Sequence, residues 1–182
     1  MAAAEKGDYA RAYQEFSELA DKGDTDALVN MSILTDESCG LNKPPDLPSE
    51  LICKAVAANN VHARFLAALG SMFAAPVCPK WTFAQNDFLA VTLASAAQGY
   101  VSAMLWSAKI YENGHAPDSV RAYAWYTVAS KRGESEAQQE ADRVAKRLSI
   151  DERARAKGLA ETLDHDTPSA RLLSEREPCR PK

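Results

Sequence analysis

A turn built on a small residue, with alanine four residues later, occurs four times along the chain. The four pairs are Gly23 with Ala27, Asn59 with Ala63, Gly99 with Ala103, and Gly133 with Ala137. Successive turns are 36, 40 and 34 residues apart, and a period in that range is typical of stacked helical pairs. Glycine allows the left-handed backbone in which a helix ends, and asparagine is its usual substitute. The alanine lets the next helix approach closely, so the repeat predicts an all-α chain of helix-turn-helix units.

Helix boundaries follow from capping residues and from the spacing of apolar residues. Asp8 and Asp118 occupy N-cap positions, each before an apolar stripe at helical spacing. Ser149 and Glu152 form a capping-box pattern for the last helix. The expected helices are 9–22, 25–37, 49–58, 61–74, 84–98, 101–113, 119–132, 135–147 and 150–164.

Residues 96–137 contain most of one repeat unit. The positions that define it are Ala96, Gly99, Ala103, Ala108, Tyr111, Gly114, Asp118, Ala122, Trp125, Tyr126 and Gly133. This pattern resembles the Sel-one-like repeat (SLR) family, a relative of the tetratricopeptide repeats. Residues 2–35 resemble the family's first repeat, and the resemblance is weaker over 36–95.

The resemblance implies an α/α superhelical solenoid of about four helix-turn-helix repeats with a C-terminal capping helix. We expect the solenoid to occupy residues 1–164. The segment 165–182 contains three prolines and mixed charges, which predicts a flexible C-terminal tail. The family keeps aromatic residues at the positions of Trp125 and Tyr126, which implies that both pack between repeats.

Candidate partner-binding residues come from the first helix of each pair, which lines the concave face in the family. Trp106 lies three residues after its anchor alanine, where other repeats have Asn30 and Leu66. Such variation indicates a position that faces the groove or solvent, and tryptophan is a common binding anchor. The alternative is that Trp106 packs on the next repeat. Lys109 and Trp81 complete the set of candidates.

Two helix-to-helix loops, 36–48 and 74–83, are longer than the corresponding loop of the last full unit. Insertions at one place in a repeat lie on one edge of a solenoid, where binding residues are often found. Each loop contains one cysteine, so we predict a Cys39–Cys78 disulfide formed in an oxidising compartment. A Cys39–Cys53 disulfide and free thiols are the alternatives.

Composition and motifs favour a binding protein over an enzyme. The formal net charge of −4 disfavours nucleic acid as the partner, because phosphate binding needs a basic face. The sequence contains no run of 18 apolar residues, so we expect no membrane insertion. No Cys-x-x-Cys motif is present and the histidines are far apart in sequence, so we expect no metal site and no cofactor. Cys53 with His62 is the only sequence-near pair of nucleophile and base, and nothing in the sequence activates that cysteine.

The function we expect is protein–protein binding by a monomer, through the concave face and the edge formed by the long loops. The resemblance implies a bacterial adaptor or regulator, and frequent export. Residues 2–6 look like the end of a longer helix, so we expect a periplasmic or otherwise exported protein after signal removal, with the cytoplasm as the alternative. An immunity-type inhibitor of a secreted toxic enzyme is the second hypothesis. A hydrolase acting on cell-wall or β-lactam-like substrates is the third.

Overall fold

The computed structural model describes residues 2–35, 39–73, 75, 77–81, 88–170, 172–173 and 179. These residues form ten α-helices, and none of them lies in a β-strand. The helices are α1 Ala2–Glu5, α2 Tyr9–Asp21, α3 Thr25–Ile33, α4 Leu47–Ala57, α5 Val61–Met72, α6 Phe88–Ala97, α7 Val101–Asn113, α8 Ser119–Lys131, α9 Ala137–Ala145 and α10 Ile150–Asp166. Within two compact units, consecutive helices from α1 to α5 and from α7 to α9 pack against one another, and α10 packs against α8. The first unit contains Met1–Phe88 and Arg171–Lys182, and the second contains Leu89–Ala170.

The four repeated turns have the conformation that the sequence predicts. The backbone φ angle is +93° at Gly23, +60° at Asn59, +91° at Gly99 and +99° at Gly133. All four lie in the left-handed region, where asparagine is among the few residues with a side chain that are tolerated. The alanine after each turn is at most 1% exposed. The turns therefore end one helix and allow the next to pack closely, as expected.

The predicted caps are also confirmed. The Asp8 carboxylate accepts the backbone N–H of Arg11 at 3.1 Å, and Asp118 caps α8 in the same way. At the start of α10, the Ser149 hydroxyl accepts the N–H of Glu152 at 3.3 Å. The Glu152 carboxylate accepts the Ser149 N–H in return at 2.9 Å, which completes the capping box.

Several helix boundaries differ from the expected ones. Helix α3 ends at Ile33 rather than at 37, and residues 36–38 lie outside the described part of the chain. The expected start of α6 at residue 84 also lies outside it, and the helix is described from Phe88. Helix α9 begins at Ala137 rather than 135, because a turn precedes it. Helix α10 continues to Asp166, beyond the expected end at 164.

Two apolar clusters on α1 to α5 lie in the core of the first unit. One cluster includes Phe16, Met31, Leu34 and Leu51, and the other includes Val29, Ile33, Ile52, Val56 and Ala67. Asn60 links two helix starts beside them. Its amide nitrogen donates to the Asp26 carboxylate at 2.7 Å and to the Thr25 hydroxyl at 2.9 Å. Its amide oxygen accepts two backbone N–H groups at the start of α5, so a single side chain caps α5 and bonds to side chains in the first turn of α3.

The predicted Cys39–Cys78 disulfide is wrong, because each of these cysteines has another partner. Cys39 is bonded to Cys179, with Cα atoms 4.9 Å apart. Cys78 is bonded to Cys53, with Cα atoms 5.4 Å apart. The alternatives, Cys39–Cys53 and free thiols, are also wrong. Cys179 lies in the segment predicted to be a flexible tail, and for that reason it was not considered as a disulfide partner.

The chain after α10 is attached to the second unit by one arginine. The Arg132 guanidinium donates to the backbone oxygens of Thr167 at 2.6 Å, Pro168 at 2.7 Å and Asp164 at 2.9 Å. A side chain with several donors in a fixed fork can hold several carbonyl groups at once. Residues 167 and 168 therefore do not project from the fold as a free tail would.

The same stretch passes over the turn at Gly99. A Cβ atom at this position would overlap the carbonyl oxygen of Pro168 and would lie 2.6 Å from the nitrogen of Ala170. We expect Gly99→Ala to lower the free energy of unfolding by about 2 kcal/mol, because displacement of the backbone adds to the strain of a left-handed alanine. Chemical denaturation followed by circular dichroism measures the loss.

Gly133→Ala is the matched control for this prediction. Its φ angle of +99° is similar, but an added Cβ would meet no atom within 4 Å. We expect a loss of only about 1 kcal/mol, from backbone strain alone. Equal losses in the two variants would contradict the close approach of the chain to Gly99.

A buried carboxylate connects three helices of the second unit. The side chain of Glu112 on α7 is 2% exposed. It accepts hydrogen bonds from Arg143 on α9 at 2.6 and 2.7 Å, and from the Tyr126 hydroxyl on α8 at 3.0 Å. Arg147 is a further ion-pair partner. A buried charge is tolerated only when it is paired and hydrogen-bonded, and this one satisfies both conditions.

Candidate partner-binding groove

A groove of about 690 Å³ opens in the first unit, beside α3, α4 and α5. Apolar helix residues and prolines dominate its lining. The residues that line it are Ser32, Ile33, Thr35, Lys43, Pro44, Pro45, Pro48, Ser49, Ile52, Leu66, Leu69, Gly70, Phe73 and Val77. Concave surfaces that combine apolar walls with a few polar groups are the usual form of a binding site.

The two enlarged loops contribute part of this lining. Pro44 and Pro45 come from the first loop, and Val77 comes from the second. The Cys53–Cys78 disulfide attaches the second loop to α4. The Ser32 hydroxyl on α3 donates to a backbone oxygen in the first turn of α4 at 3.2 Å. The groove therefore lies where the sequence placed the long-loop edge, and covalent and hydrogen bonds hold its walls.

Large apolar side chains are exposed at the end of α5 and in the loop that follows. Phe73 is 64% exposed, Met72 is 49% exposed and Trp81 is 37% exposed. Phe73 also lines the groove. Exposed apolar residues that lie together mark interaction surfaces more reliably than isolated ones.

Among the described residues that line the groove, Lys43 alone is charged. Its ammonium group lies 4.0 Å from the centre of the Tyr13 ring, a cation–π contact that restrains the side chain. The described lining thus combines apolar side chains with a few hydroxyl groups and a single positive charge. Such a surface suits a mainly apolar peptide segment better than a highly charged ligand.

The structure places the five candidate residues in different environments. Leu66 lines the groove and Trp81 lies on the adjoining loop. Asn30 is only 2% exposed, and its amide oxygen accepts a backbone N–H from Leu173. The expectation that Asn30 contributes to an open binding face therefore fails, because the end of the chain occupies that place.

Trp106 and Lys109 belong to the second unit, one helical turn apart on α7. The Lys109 ammonium lies 5.1 Å from the centre of the Trp106 ring, and both side chains are half-buried. Trp125 and Tyr126 on α8 are 6% and 1% exposed, as the expected packing role requires.

Sequence reasoning missed Phe73 and Leu69 as groove residues. Both lie in the expected helix 61–74, and neither was among the candidate partner-binding residues. The available signal was the position of Phe73 at the end of a helix and directly before an enlarged loop. A large aromatic residue there has no following helical turn to cover it.

The candidate pair of nucleophile and base does not survive in the structure. The Cys53 sulfur is bonded to Cys78 and is not a thiolate. Burial lowers the pKa of His62, and the nearby charge of Asp26 opposes that shift. Within the described ranges, no three His, Cys, Asp or Glu side chains are grouped so that they could hold a metal ion. The helices of the described ranges also include none with the length and hydrophobicity needed to cross a bilayer.

No protein-family model and no curated protein matches the sequence. A solved structure is similar over 91% of the chain with a TM-score of 0.62 and 18% identity. It is the crystal structure of a protective antigen present in uropathogenic Escherichia coli strains, described as displaying an SLR fold. The chain spans 39% of the length of that protein. The consecutive helix pairs and this similarity together lead to one conclusion: the chain has the α/α solenoid fold of the Sel-one-like repeat proteins.

Proposed function

We propose that this chain is a protein-interaction module that binds an apolar segment of a partner protein in the groove of the first unit. The observation that carries the proposal is the apolar groove beside Phe73, whose ring is largely exposed. Repeat folds offer extended surfaces rather than enclosed pockets, which also favours a protein partner. We expect the protein to act as a monomeric adaptor or regulator without a cofactor or catalytic residues.

The disulfides of the chain favour an exported location. The two disulfides use all four cysteines, and disulfides persist in oxidising compartments such as the bacterial periplasm. We therefore propose a periplasmic or otherwise exported location. Thiol labelling of the protein in freshly lysed cells, without reductant, tests this: four reactive thiols would contradict it.

Affinity capture with matched variants tests the groove. Wild type, Phe73→Ser and Ile150→Ser are used as baits in the same extract, and captured proteins are identified by mass spectrometry. Phe73→Ser removes an exposed apolar side chain of the groove. Ile150→Ser removes one that is 87% exposed in the second unit. We expect a partner that wild type and Ile150→Ser retain and that Phe73→Ser loses by at least about tenfold, the effect of removing one apolar anchor.

A fourth bait, Trp106→Ala, separates the groove from the candidate site on α7. Loss with Trp106→Ala and retention with Phe73→Ser would contradict the groove and transfer the site to α7. Equal capture by all four baits would contradict both sites. If the partner is an enzyme whose activity falls when an equimolar amount of the purified protein is added, the module is an immunity-type inhibitor rather than an adaptor.

A further inference from the structure

The end of the chain covers part of the first unit. Leu172 and Leu173 are half-buried and pack against the apolar clusters of this unit. Leu173 contacts both clusters, and Leu172 contacts the one that contains Val29 and Ile52. Two adjacent leucines thus cover apolar surface that the helices of the first unit do not cover. We refer to Leu172, Leu173 and Cys179 as the C-terminal segment.

The surface beneath this segment recognises its backbone as well as its side chains. The Asn30 side chain, on α3, is buried, and its amide oxygen accepts the N–H of Leu173 at 2.8 Å. A buried polar side chain is stable only when it is hydrogen-bonded. A backbone N–H is common to every peptide except at proline, so this contact would serve any extended chain in the same position. We call Asn30 and the apolar residues that contact Leu173 the Asn30 surface.

A covalent bond retains the segment on this surface. Cys179 is bonded to Cys39, which is 140 residues earlier in the sequence. Both half-cystines are buried, at 4% and 7% exposure. A tethered ligand competes with a free one through its high effective concentration, so a covalently retained segment excludes other peptides.

We propose that the Asn30 surface is a peptide-binding surface, occupied by the chain's own C-terminal segment and kept closed by the Cys39–Cys179 disulfide. The partner that fits it is an extended segment with two adjacent leucines and a free backbone N–H. This inference goes beyond the proposed function, because it concerns the contacts made by the chain's own C-terminal segment and does not depend on Phe73.

Opening of the surface requires reduction of one disulfide. An external dithiol supplies two electrons and two protons to the Cys39–Cys179 bond. The S–S bond breaks, each cysteine becomes a thiol, and the dithiol becomes a disulfide. The C-terminal segment is then tethered only by the chain that precedes it, so its effective concentration at the surface falls and a competing peptide can displace it.

The test uses a fluorescently labelled peptide with the sequence of residues 168–178, PSARLLSEREP, and the full-length protein. Binding is followed by fluorescence anisotropy. We expect saturable binding to the Cys39→Ser/Cys179→Ser variant, and binding at least about tenfold weaker to the oxidised wild type. The Cys53→Ser/Cys78→Ser variant controls for loss of the other disulfide of the same unit, and should exclude the peptide as the wild type does, because the Cys39–Cys179 bond still retains the C-terminal segment.

Two further variants test the contacts themselves. Asn30→Ala, added to Cys39→Ser/Cys179→Ser, should weaken peptide binding about tenfold because one buried hydrogen bond is lost. A peptide in which both leucines are replaced by serine should not bind. The proposal would be overturned if the leucine and serine peptides bound equally well. It would also be overturned if the leucine peptide bound equally well to the oxidised wild type and to Cys39→Ser/Cys179→Ser. A folded Cys39→Ser/Cys179→Ser protein that does not bind the peptide would also overturn it.

If the Cys39→Ser/Cys179→Ser variant does not fold, hydrogen exchange of the wild type provides a separate test of the proposal. After mild treatment with a dithiol, we expect exchange in the peptic fragment that contains Leu172 and Leu173 to become at least about tenfold faster. Fragments from α3 and α4 should keep their protection. Simultaneous loss of protection in all three regions would show that the segment is an inseparable part of the core, and would refute a displaceable occupant.

Discussion

Cys39→Ser combined with Cys179→Ser is expected to lower the free energy of unfolding by about 5 kcal/mol, the chain-entropy value for a loop of this size. The disulfide joins residues that are 140 positions apart, so it restricts almost the whole unfolded chain. The Cys53–Cys78 bond joins residues only 25 positions apart. Its removal should cost about 3 kcal/mol for the same reason.

Urea denaturation under non-reducing conditions measures both losses. The wild type and both double-serine variants are compared by the midpoint and the slope of the transition. A larger loss from the shorter loop would contradict a cost set by loop length. Wild type that has been fully reduced should be less stable than either variant, because it lacks both constraints.

Glu112→Gln is expected to lower the free energy of unfolding by about 3 kcal/mol, the usual cost of removing one partner from a buried ion pair. The carboxylate is the shared acceptor of Arg143, Arg147 and the Tyr126 hydroxyl. Glutamine has nearly the same shape but no charge, and its amide nitrogen cannot accept a hydrogen bond. Glu140→Gln is the control, because Glu140 pairs with Arg143 at the surface, and exposed ion pairs contribute less than about 1 kcal/mol.

The pH dependence of stability gives a second measurement on the same carboxylate. Burial alone would raise the pKa of Glu112, but the hydrogen bonds from Arg143, Arg147 and Tyr126 outweigh it and lower the pKa from 4.5 to about 2. A carboxyl whose pKa is lower in the folded state stabilises the fold above its unfolded value, and this stabilisation is lost as the pH falls. We expect the wild type to lose stability between pH 4.5 and 2.

Glu112→Gln should lack that part of the pH dependence, because glutamine does not titrate. Denaturation midpoints of the wild type and the variant should therefore converge as the pH falls from 5 to 2. A constant difference between the two proteins over this range would contradict a charged, ion-paired Glu112.

Local sequence determined the elements of the fold and most of the residues at which the helices begin. The left-handed turns at Gly23 and Asn59, the N-cap at Asp118 and the capping box at Ser149 depend on residues only a few positions apart. Interactions of this range can be read from the sequence, because the backbone conformation and the capping side chain belong to the same turn. The period of the turns then indicated the stacking of helical pairs.

The sequence indicated an edge formed by the two enlarged loops, but not the residues that line the groove. Two enlarged loops indicated the edge on which it lies, because insertions at corresponding places in repeats lie together. Phe73 and Leu69 could not be identified, because exposure of a helix residue depends on how the neighbouring elements cover it. The pattern of apolar residues is the same for a covered position and an open one.

The tertiary structure alone decided how the cysteines pair, whether Asn30 is covered, and where the C-terminal segment lies. Cys39 meets Cys179, and Asn30 meets Leu173, across about 140 residues of sequence. No local pattern records such a contact, since any sufficiently long chain can return to many places on its own surface. The sequence by itself therefore determined the helices and their repeat, while only tertiary packing decided which surface stays open and which one the chain covers.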